Sequence, residues 1–443
     1  MKQIFIQIIL LYLRLAAKLQ LAKHRPTIIG VAGSSGKTSL VKLIGGMLGE
    51  KYKVLQTSGQ NSEIGLPLYI LGLEVGNNSL FDWIRIFFLI PFQLLFNWKK
   101  HDVFVAEMGI DSPIEPKNMS YLLKIIRPTI AVVTNVTLEH SVYFEPYVDE
   151  INPEKKSQKI LQLTAEQETM VLTALNAEDT AIVNMDDAEI TSRVNQIDAH
   201  KITISLLSTA DITAKNIASD LSLFKMTIVS QDKEFPLTIN QPLPKHFAYE
   251  FLLALGVGMA LQMPIDVAVN SLQNHFSLPA GRLSFFRGID NTVIIDSTYN
   301  NATLPPILDA LDLVKEIAGE RRKVAIIGDM RELGEEAEDI HAKVAEKILQ
   351  TVDFAVLIGP LSEKYIVPIL EKAGFAYENF PDVTSSQKAI QNLIHENDVI
   401  LVKGSQNTLF LERIVAMLLE NKKDVEKLTR RGVFWDRKRS ESL

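Results

Sequence analysis

Residues 27–48 read TIIGVAGSSGKTSLVKLIGGML. A β-rich apolar run enters a glycine-rich turn, Gly33-Ser34-Ser35-Gly36-Lys37-Thr38, and a helical pattern leaves it. That order is what a phosphate-binding loop needs. Glycines let backbone N–H groups turn inward, and the helix N-terminus adds partial positive charge. Lys37 is placed to bridge β- and γ-phosphates and the Thr38 hydroxyl to bind Mg²⁺, so the expected ligand is ATP with magnesium. Gly33, Ser34, Ser35, Gly36 and Ser39 complete the expected cradle. The strict loop spacing asks for glycine at 31, but Val31 stands there and Gly30 one place earlier. A chain carrying this strand–loop–helix unit is directed towards a parallel sheet flanked by helices.

The pattern continues accordingly. "KVLQTS", "DVFVAEMG", "TIAVVTNV" and "TAIVNMDD" read as further buried strands. From Lys201 to Gln241 the runs become short and alternating, which predicts a small antiparallel insertion. A long apolar helix follows at His246–Met263. "SLPAGR" (Ser277–Arg282) reads as a linker, after which "NTVIID", "KVAIIGDM", "FAVLIG" and "DVILVKGS" form a second α/β set. The expected layout is a hydrophobic N-terminal helix (1–24), a central P-loop ATPase domain with a parallel sheet and antiparallel insertion (25–278), a Rossmann-like C-terminal α/β domain (279–420) and a basic tail (421–443).

The formal net charge of −7 argues against broad nucleic-acid binding, and the absence of cysteine excludes disulfides, thiolate metal sites and cysteine nucleophiles. A cytoplasmic location fits. Two apolar segments stand out. Residues 4–23 are apolar to Leu13 and then carry Arg14, Lys18 and Lys23; residues 83–100 hold Pro91, a Trp at either end and two closing lysines. The first is too short to cross a bilayer. Either both lie in a membrane interface, giving peripheral contact at the inner face of the membrane, or they pack together as a buried helical pair.

Beyond the loop, Glu107 ends an apolar strand, where a carboxylate reaches a Mg²⁺ near Thr38. His140 and Asn135 follow the strand "TIAVVTNV", at the sheet end where open α/β folds bind ligands. Asn135 either orients phosphate or substrate or simply forms the turn.

"GVAGSSGKTS" resembles the loop of the Mur ligase family, and the likeness continues in order through "NSEIGLP", "AEMGI", "TNVTLEH", "AIVNMDD", "IIDSTYNNA", "IIGDMRELGEEAEDIH" and "LVKGS". The later blocks resemble the D-alanyl-D-alanine-adding branch. The resemblance implies an ATP-dependent ligase that joins an amino acid or dipeptide to a small-molecule carboxylate acceptor in peptidoglycan precursor synthesis. A polyglutamate-type ligase and a non-catalytic nucleotide-binding scaffold are the alternatives. It also implies a second Mg²⁺ on His140. The family's A-K-x-E lysine, carbamylated to hold that metal, is matched by "TAEQETM", which places Glu166 at the lysine position; Lys155, Lys156 and Lys159 are other equivalents. The family's H-N-x-x-N becomes "HFAYE", keeping His246 and putting Phe247 where an aromatic face stacks on the base. Further on, the resemblance assigns Arg282 to charge neutralisation, Asp296 to the ribose, Tyr299 and Asn300 to the nucleotide-side loop, and Lys403 to the substrate or phosphate side. Glu332 and His341 are expected in packing and amino-acid recognition. Members of the family carry a front domain that grips a UDP-sugar; with only residues 1–24 ahead of the first strand, the expectation is that the two apolar segments take its place.

Overall fold

The computed structural model describes residues 2–57, 59–74, 79–138, 143–299, 304–331, 333, 336–405 and 409–441. The chain forms two units, one of residues 1–215, 227–237 and 248–277, the other of residues 216–226, 238–247 and 278–443.

In chain order the first part contains α1 (Lys2–His24), β1 (Thr27–Ala32), α2 (Lys37–Leu48), β2 (Val54–Gln56), α3 (Gly65–Leu71), α4 (Leu80–Phe96), β3 (Val103–Glu107), α5 (Met119–Leu123), β4 (Ile130–Val133), α6 (Pro153–Thr173), β5 (Thr180–Asn184), α7 (Ala188–Thr191), β6 (His200–Ser205), β7 (Ile212–Ser219), β8 (Phe224–Ser230), β9 (Lys233–Ile239), α8 (Phe247–Ala260) and α9 (Ile265–His275). The nine strands form one sheet in the order β2-β3-β1-β4-β5-β6-β7-β8-β9. Every residue of β3 and β4 is buried, as expected for parallel strands covered on both faces. β1 lies between β3 and β4, with Val31 opposite Glu107 and Ala32 opposite Val133. The loop after β1 therefore emerges between the carboxyl ends of its two neighbours, the ligand-binding edge of such sheets.

The alternating segment differs from expectation in one respect. "KITIS" is β6, a parallel strand bonded to β5, and β7 to β9 extend the same sheet. The β8–β9 connection is a two-residue turn with both Gln231 (φ 52°) and Asp232 (φ 60°) left-handed, the geometry that matches hairpin twist. Alternation marks strands with one solvated face; it does not say whether they found a separate sheet or finish an existing one.

The second part contains β10 (Ser284–Arg287), β11 (Val293–Ser297), α10 (Leu304–Ile317), β12 (Lys323–Gly328), α11 (Ala337–Thr351), β13 (Phe354–Ile358), α12 (Pro360–Tyr365), α13 (Val367–Lys372), β14 (Tyr377–Phe380), α14 (Val383–Leu393), β15 (Val399–Lys403), α15 (Glu412–Leu418) and α16 (Val433–Glu441). Its sheet runs β10-β11-β15-β12-β13-β14. The β10–β11 pair is antiparallel and the others are parallel.

Helix α1 is part of the first unit's core. Leu10, Leu13, Ala16 and Ala17 are at most 5% exposed, packed with residues such as Leu66, Leu68, Leu71, Ile86 and Ile90. α4 starts at Ser79, whose hydroxyl accepts the Asp82 N–H, and lies against α1. The expected buried helical pair is therefore half realised. One side is core, while Phe81, Phe88, Phe92, Phe96 and Trp98 on the other are 59–77% exposed. Among the described residues no helix is long and apolar enough to cross a membrane.

Candidate active site

The loop between β1 and α2 holds Gly33 at φ +122° and Gly36 at φ +79°. A Cβ on Gly33 would lie 2.1 Å from the Thr134 hydroxyl oxygen, so this position demands glycine for space as well as for backbone conformation. Gly36 is the N-cap of α2; Lys37, Thr38 and Ser39 form that helix's first turn. Ser39 is buried, Lys37 and Thr38 half-buried. The Lys37 ammonium donates to the carbonyls of Gly33 and of Ser34 (3.1 Å to the latter).

The loop after β4 clasps the phosphate loop. Ser34 N–H donates to the Asn135 carbonyl at 2.9 Å, and Ser35 N–H to the Asn135 side-chain oxygen at 3.1 Å. The Thr134 hydroxyl donates to the Ser35 carbonyl at 2.5 Å, and Thr137 N–H to Ser34 Oγ at 2.9 Å. Asn135 thus sets the loop's shape. Asp187, at the end of "NMDD", accepts the Val136 N–H at 2.9 Å and caps α7. Burial raises its pKa, the expected sign for a desolvated carboxylate.

Two buried carboxylates belong to this region, one at the end of the strand beside β1 and one bonded to the loop itself. Glu107 is 3% exposed; its Oε1 accepts from Asn61 at 2.9 Å, and its Oε2 is buried with no hydrogen-bond partner. A buried carboxylate oxygen left over in this way suits a hard cation. The second is Glu168, whose Oε2 accepts the Gly33 N–H at 2.8 Å, with the side chain 3% exposed. Glu166 is exposed. Residues two positions apart on a helix differ by about 200°, so α6 brings Glu168 to the loop and turns Glu166 away, which corrects the expectation that Glu166 faces the site. Lys155 and Lys159 are exposed and Lys156 half-buried, all at the start of α6. The quoted "TAEQETM" already contained the signal, since A-E-Q-E carries the glutamate of the A-K-x-E pattern at 168. Ser34, Lys37, Asn61, Asp111, Thr164 and Glu168 are among the residues lining a cavity of about 70 Å³ here. His140 lies outside the described residues. Among the described residues no cluster of three or more His, Asp or Glu side chains is arranged to hold a metal.

Two other expectations in this part of the chain are corrected. Phe247 is 3% exposed, its ring 4.9 Å from that of His246, so packing rather than base stacking occupies it. His246 Nδ1 is 2.8 Å from Asp309 Oδ2. Glu250, at the family's second asparagine position, is buried; a Cβ on Gly36 would lie 3.0 Å from its Oε1.

In the second unit Asp296 is fully buried. Its Oδ1 accepts the Thr298 N–H and hydroxyl (3.1 and 2.7 Å), and burial pushes its pKa up to about 6. An interior carboxylate of this kind organises the turn after β11, which corrects its expected role on a ribose. Lys403 is likewise fully buried, its ammonium 3.4 Å from the Ser297 hydroxyl. Tyr299 N–H donates to Gly281 O at 3.0 Å, and its ring faces the guanidinium groups of both Arg282 (5.8 Å) and Arg430 (5.9 Å). Arg430 forms a buried two-pronged pair with Glu412 (3.1 and 2.6 Å) and donates to the Thr298 carbonyl at 2.8 Å. Sequence patterns offered no signal for this clamp. His341 is buried and accepts the Met330 N–H at 3.4 Å, so it braces the "GDM" turn. Asn300 and Glu332 lie outside the described residues.

A phosphate loop, clasped by the Thr134-Asn135 turn and flanked by two strand- and helix-borne carboxylates, precedes a separate parallel α/β unit. The Mur ligase middle-domain model matches residues 31–258, and the model described as "Mur ligase, glutamate ligase domain" matches residues 281–406. The chain belongs to the Mur ligase family. Members of this family are ATP-dependent ligases, and so is this protein. Its similarity extends to the UDP-N-acetylmuramoyl-tripeptide–D-alanyl-D-alanine ligases of Escherichia coli (25% identity, covering 89% of this chain and 77% of the relative) and Bacillus subtilis (23%, covering 91% and 78%). Among solved structures, the Mur ligase MurF of Thermotoga maritima in complex with ADP superposes with a TM-score of 0.72 at 20% identity, covering 94% of this chain and 84% of that one. MurF of Acinetobacter baumannii gives 0.72 at 20%, covering 93% and 81%.

Proposed function

We propose that this Mur ligase joins D-alanyl-D-alanine to the free carboxylate of a UDP-N-acetylmuramoyl-tripeptide. The bond between the β,γ-bridging oxygen and the γ-phosphorus of ATP breaks, ADP departs, and a new phosphorus–oxygen bond forms to the acceptor carboxylate. The dipeptide amine attacks the acyl carbon, phosphate leaves, and the nitrogen gives up a proton, leaving an amide. The observation that carries this reading is the Lys37 loop held by Glu168, with the buried Glu107 at the end of the neighbouring strand, within a chain whose relatives bear that substrate pair in their names.

The chain's own residues divide the work. Backbone N–H groups from Gly36 to Thr38, at the N-terminus of α2, orient the terminal phosphates, and Lys37 exchanges its loop carbonyls for phosphate oxygens as charge builds in transfer. Thr38 and Glu107 would hold one magnesium ion, and Glu168 with His140 a second. Bound there, the ions supply charge neutralisation of the phosphoryl group. Within the second unit, Arg282 and Arg430 both face the Tyr299 ring, and Arg430 fixes the turn that carries it.

The test is ADP release with ATP and both substrates, each omitted in turn, and Lys37→Ala as control. Release that depends on dipeptide and acceptor supports the proposal. Release independent of either, or none, overturns it, and release driven by glutamate would favour the polyglutamate alternative.

A further inference from the structure

We infer that α1 and α4 form a docking surface for an anionic lipid bilayer, binding in the plane of the interface. Tyr12 OH donates to the Phe87 carbonyl, and Lys23 Nζ to that of Leu94. His24 meets Trp98 edge-on, with ring centroids 6.0 Å apart. These contacts advance together along both helices, so α1 and α4 run parallel. Ile8, Leu11, Leu15 and Leu19 of α1 are 45–59% exposed, spaced by three or four residues. On α4, Phe81, Ile84, Phe88, Phe92 and Leu95 repeat the same spacing at 47–77% exposure. At about 100° per residue, and with Tyr12 and Phe87 turned towards one another, the two stripes fall on the same side of the pair. Packing has buried the opposite side and left this one apolar.

Charge says what covers it. Residues 2–25 carry Lys2, Arg14, Lys18, Lys23 and Arg25 and no acid; residues 80–101 carry Arg85, Lys99 and Lys100 against Asp82 alone, in a chain whose net charge is −7. Asp82 is paired with Arg85 at 3.4 Å. Because the helices are parallel, Lys23, His24 and Arg25 gather at the same end as Lys99, Lys100 and His101. A cavity of about 620 Å³ counts His24, Lys99 and His101 from that end among its lining residues, together with Arg85 and Glu74. An aromatic and aliphatic face with cations at its margin is what an interfacial helix presents to acyl chains and anionic headgroups. Trp98, 64% exposed and under the Lys23 ammonium at 4.9 Å, sits at that margin, where indole rings favour the headgroup level.

The full-length protein is floated with vesicles of phosphatidylglycerol and phosphatidylcholine, and with phosphatidylcholine alone, at low and high salt. Expected are binding to the anionic vesicles that weakens in salt and a loss of more than about tenfold in Phe88→Ser/Phe92→Ser, whose side chains are exposed enough to leave melting unchanged. Lys99→Ser/Lys100→Ser should lose about tenfold or more on anionic vesicles only. Lys37→Ala should bind vesicles as the parent does, which separates this inference from the ligase reading. No binding to anionic vesicles at low salt overturns it. So does a self-associated species, dispersed by the Phe88/Phe92 change, in protein that ignores vesicles.

Discussion

Replacing Glu168 by glutamine keeps the shape of the side chain and removes its charge. The Gly33 N–H to Glu168 bond is 2.8 Å long and buried at both ends, within the range of charge-assisted bonds. Such bonds contribute about 1.5–3 kcal/mol, against about 0.5–1.5 for neutral ones, so the amide costs about 1–1.5 kcal/mol in loop organisation alone. At about 1.4 kcal/mol per factor of ten, kcat/KM for ATP should fall about tenfold, and further if the carboxylate also holds magnesium, in which case the half-saturating Mg²⁺ concentration rises as well. Glu166→Gln, on the exposed side of α6, should stay within about 0.5 kcal/mol of the parent, as surface changes do. The assay is coupled ADP formation across a magnesium series, run on both variants. If the two variants were equally impaired, or if Glu168→Gln matched the parent, the reasoning from helix register would fail.

Gly33→Ala should abolish ATP binding in calorimetry while leaving secondary structure intact, since the added methyl meets Thr134 in a loop that is all local geometry. Asp296→Asn gives a pH signature. A folded-state pKa of about 6 against 3.8 makes ionisation oppose folding, so Asp296 costs stability progressively as pH rises from about 4 to 6 and constantly above. The variant should therefore gain on the parent across that window and be more stable by about 2–3 kcal/mol at pH 7.5 in urea unfolding; a difference that does not change with pH would contradict this. Arg430→Ala removes both short bonds to the buried Glu412, leaving it only the 3.4 Å contact from Arg439, and should cost about 3 kcal/mol, read as a lower urea midpoint for the second unit, with Glu412→Gln/Arg430→Met recovering much of it.

What could be read from the chain was what is local. The loop, its strand and its helix are contiguous, and the buried strands announce themselves by unbroken apolar runs, so the α/β layout and the family were legible. Glu107 was legible because a strand's end is a position the strand itself defines. Glu168 was missed because attention fell on the lysine position of the A-K-x-E pattern, and a two-residue shift along α6 changes which face is considered. The clasp by Thr134, Asn135 and Asp187 depends on β1, β4 and β5 standing side by side, and the Arg430–Glu412–Thr298 clamp joins positions 18 and 132 apart. Nothing in a linear pattern reports such pairings. Burial misled in the other direction at Phe247, Asp296 and Lys403, where residues suited to ligand contact are used inside.

The opening helix has a practical meaning for anyone handling this protein. Its hydrophobic look invites removal as a nuisance leader, yet Leu13, Ala16 and Ala17 are at most 2% exposed, the first two sealed against α3 and α4 and the third in the core that also holds Ala32 and Phe104. Trimming it would strip a keel from the hull, trading one greasy outer flank for a larger exposed interior. Swapping the outward phenylalanines is the gentler route to a well-behaved sample.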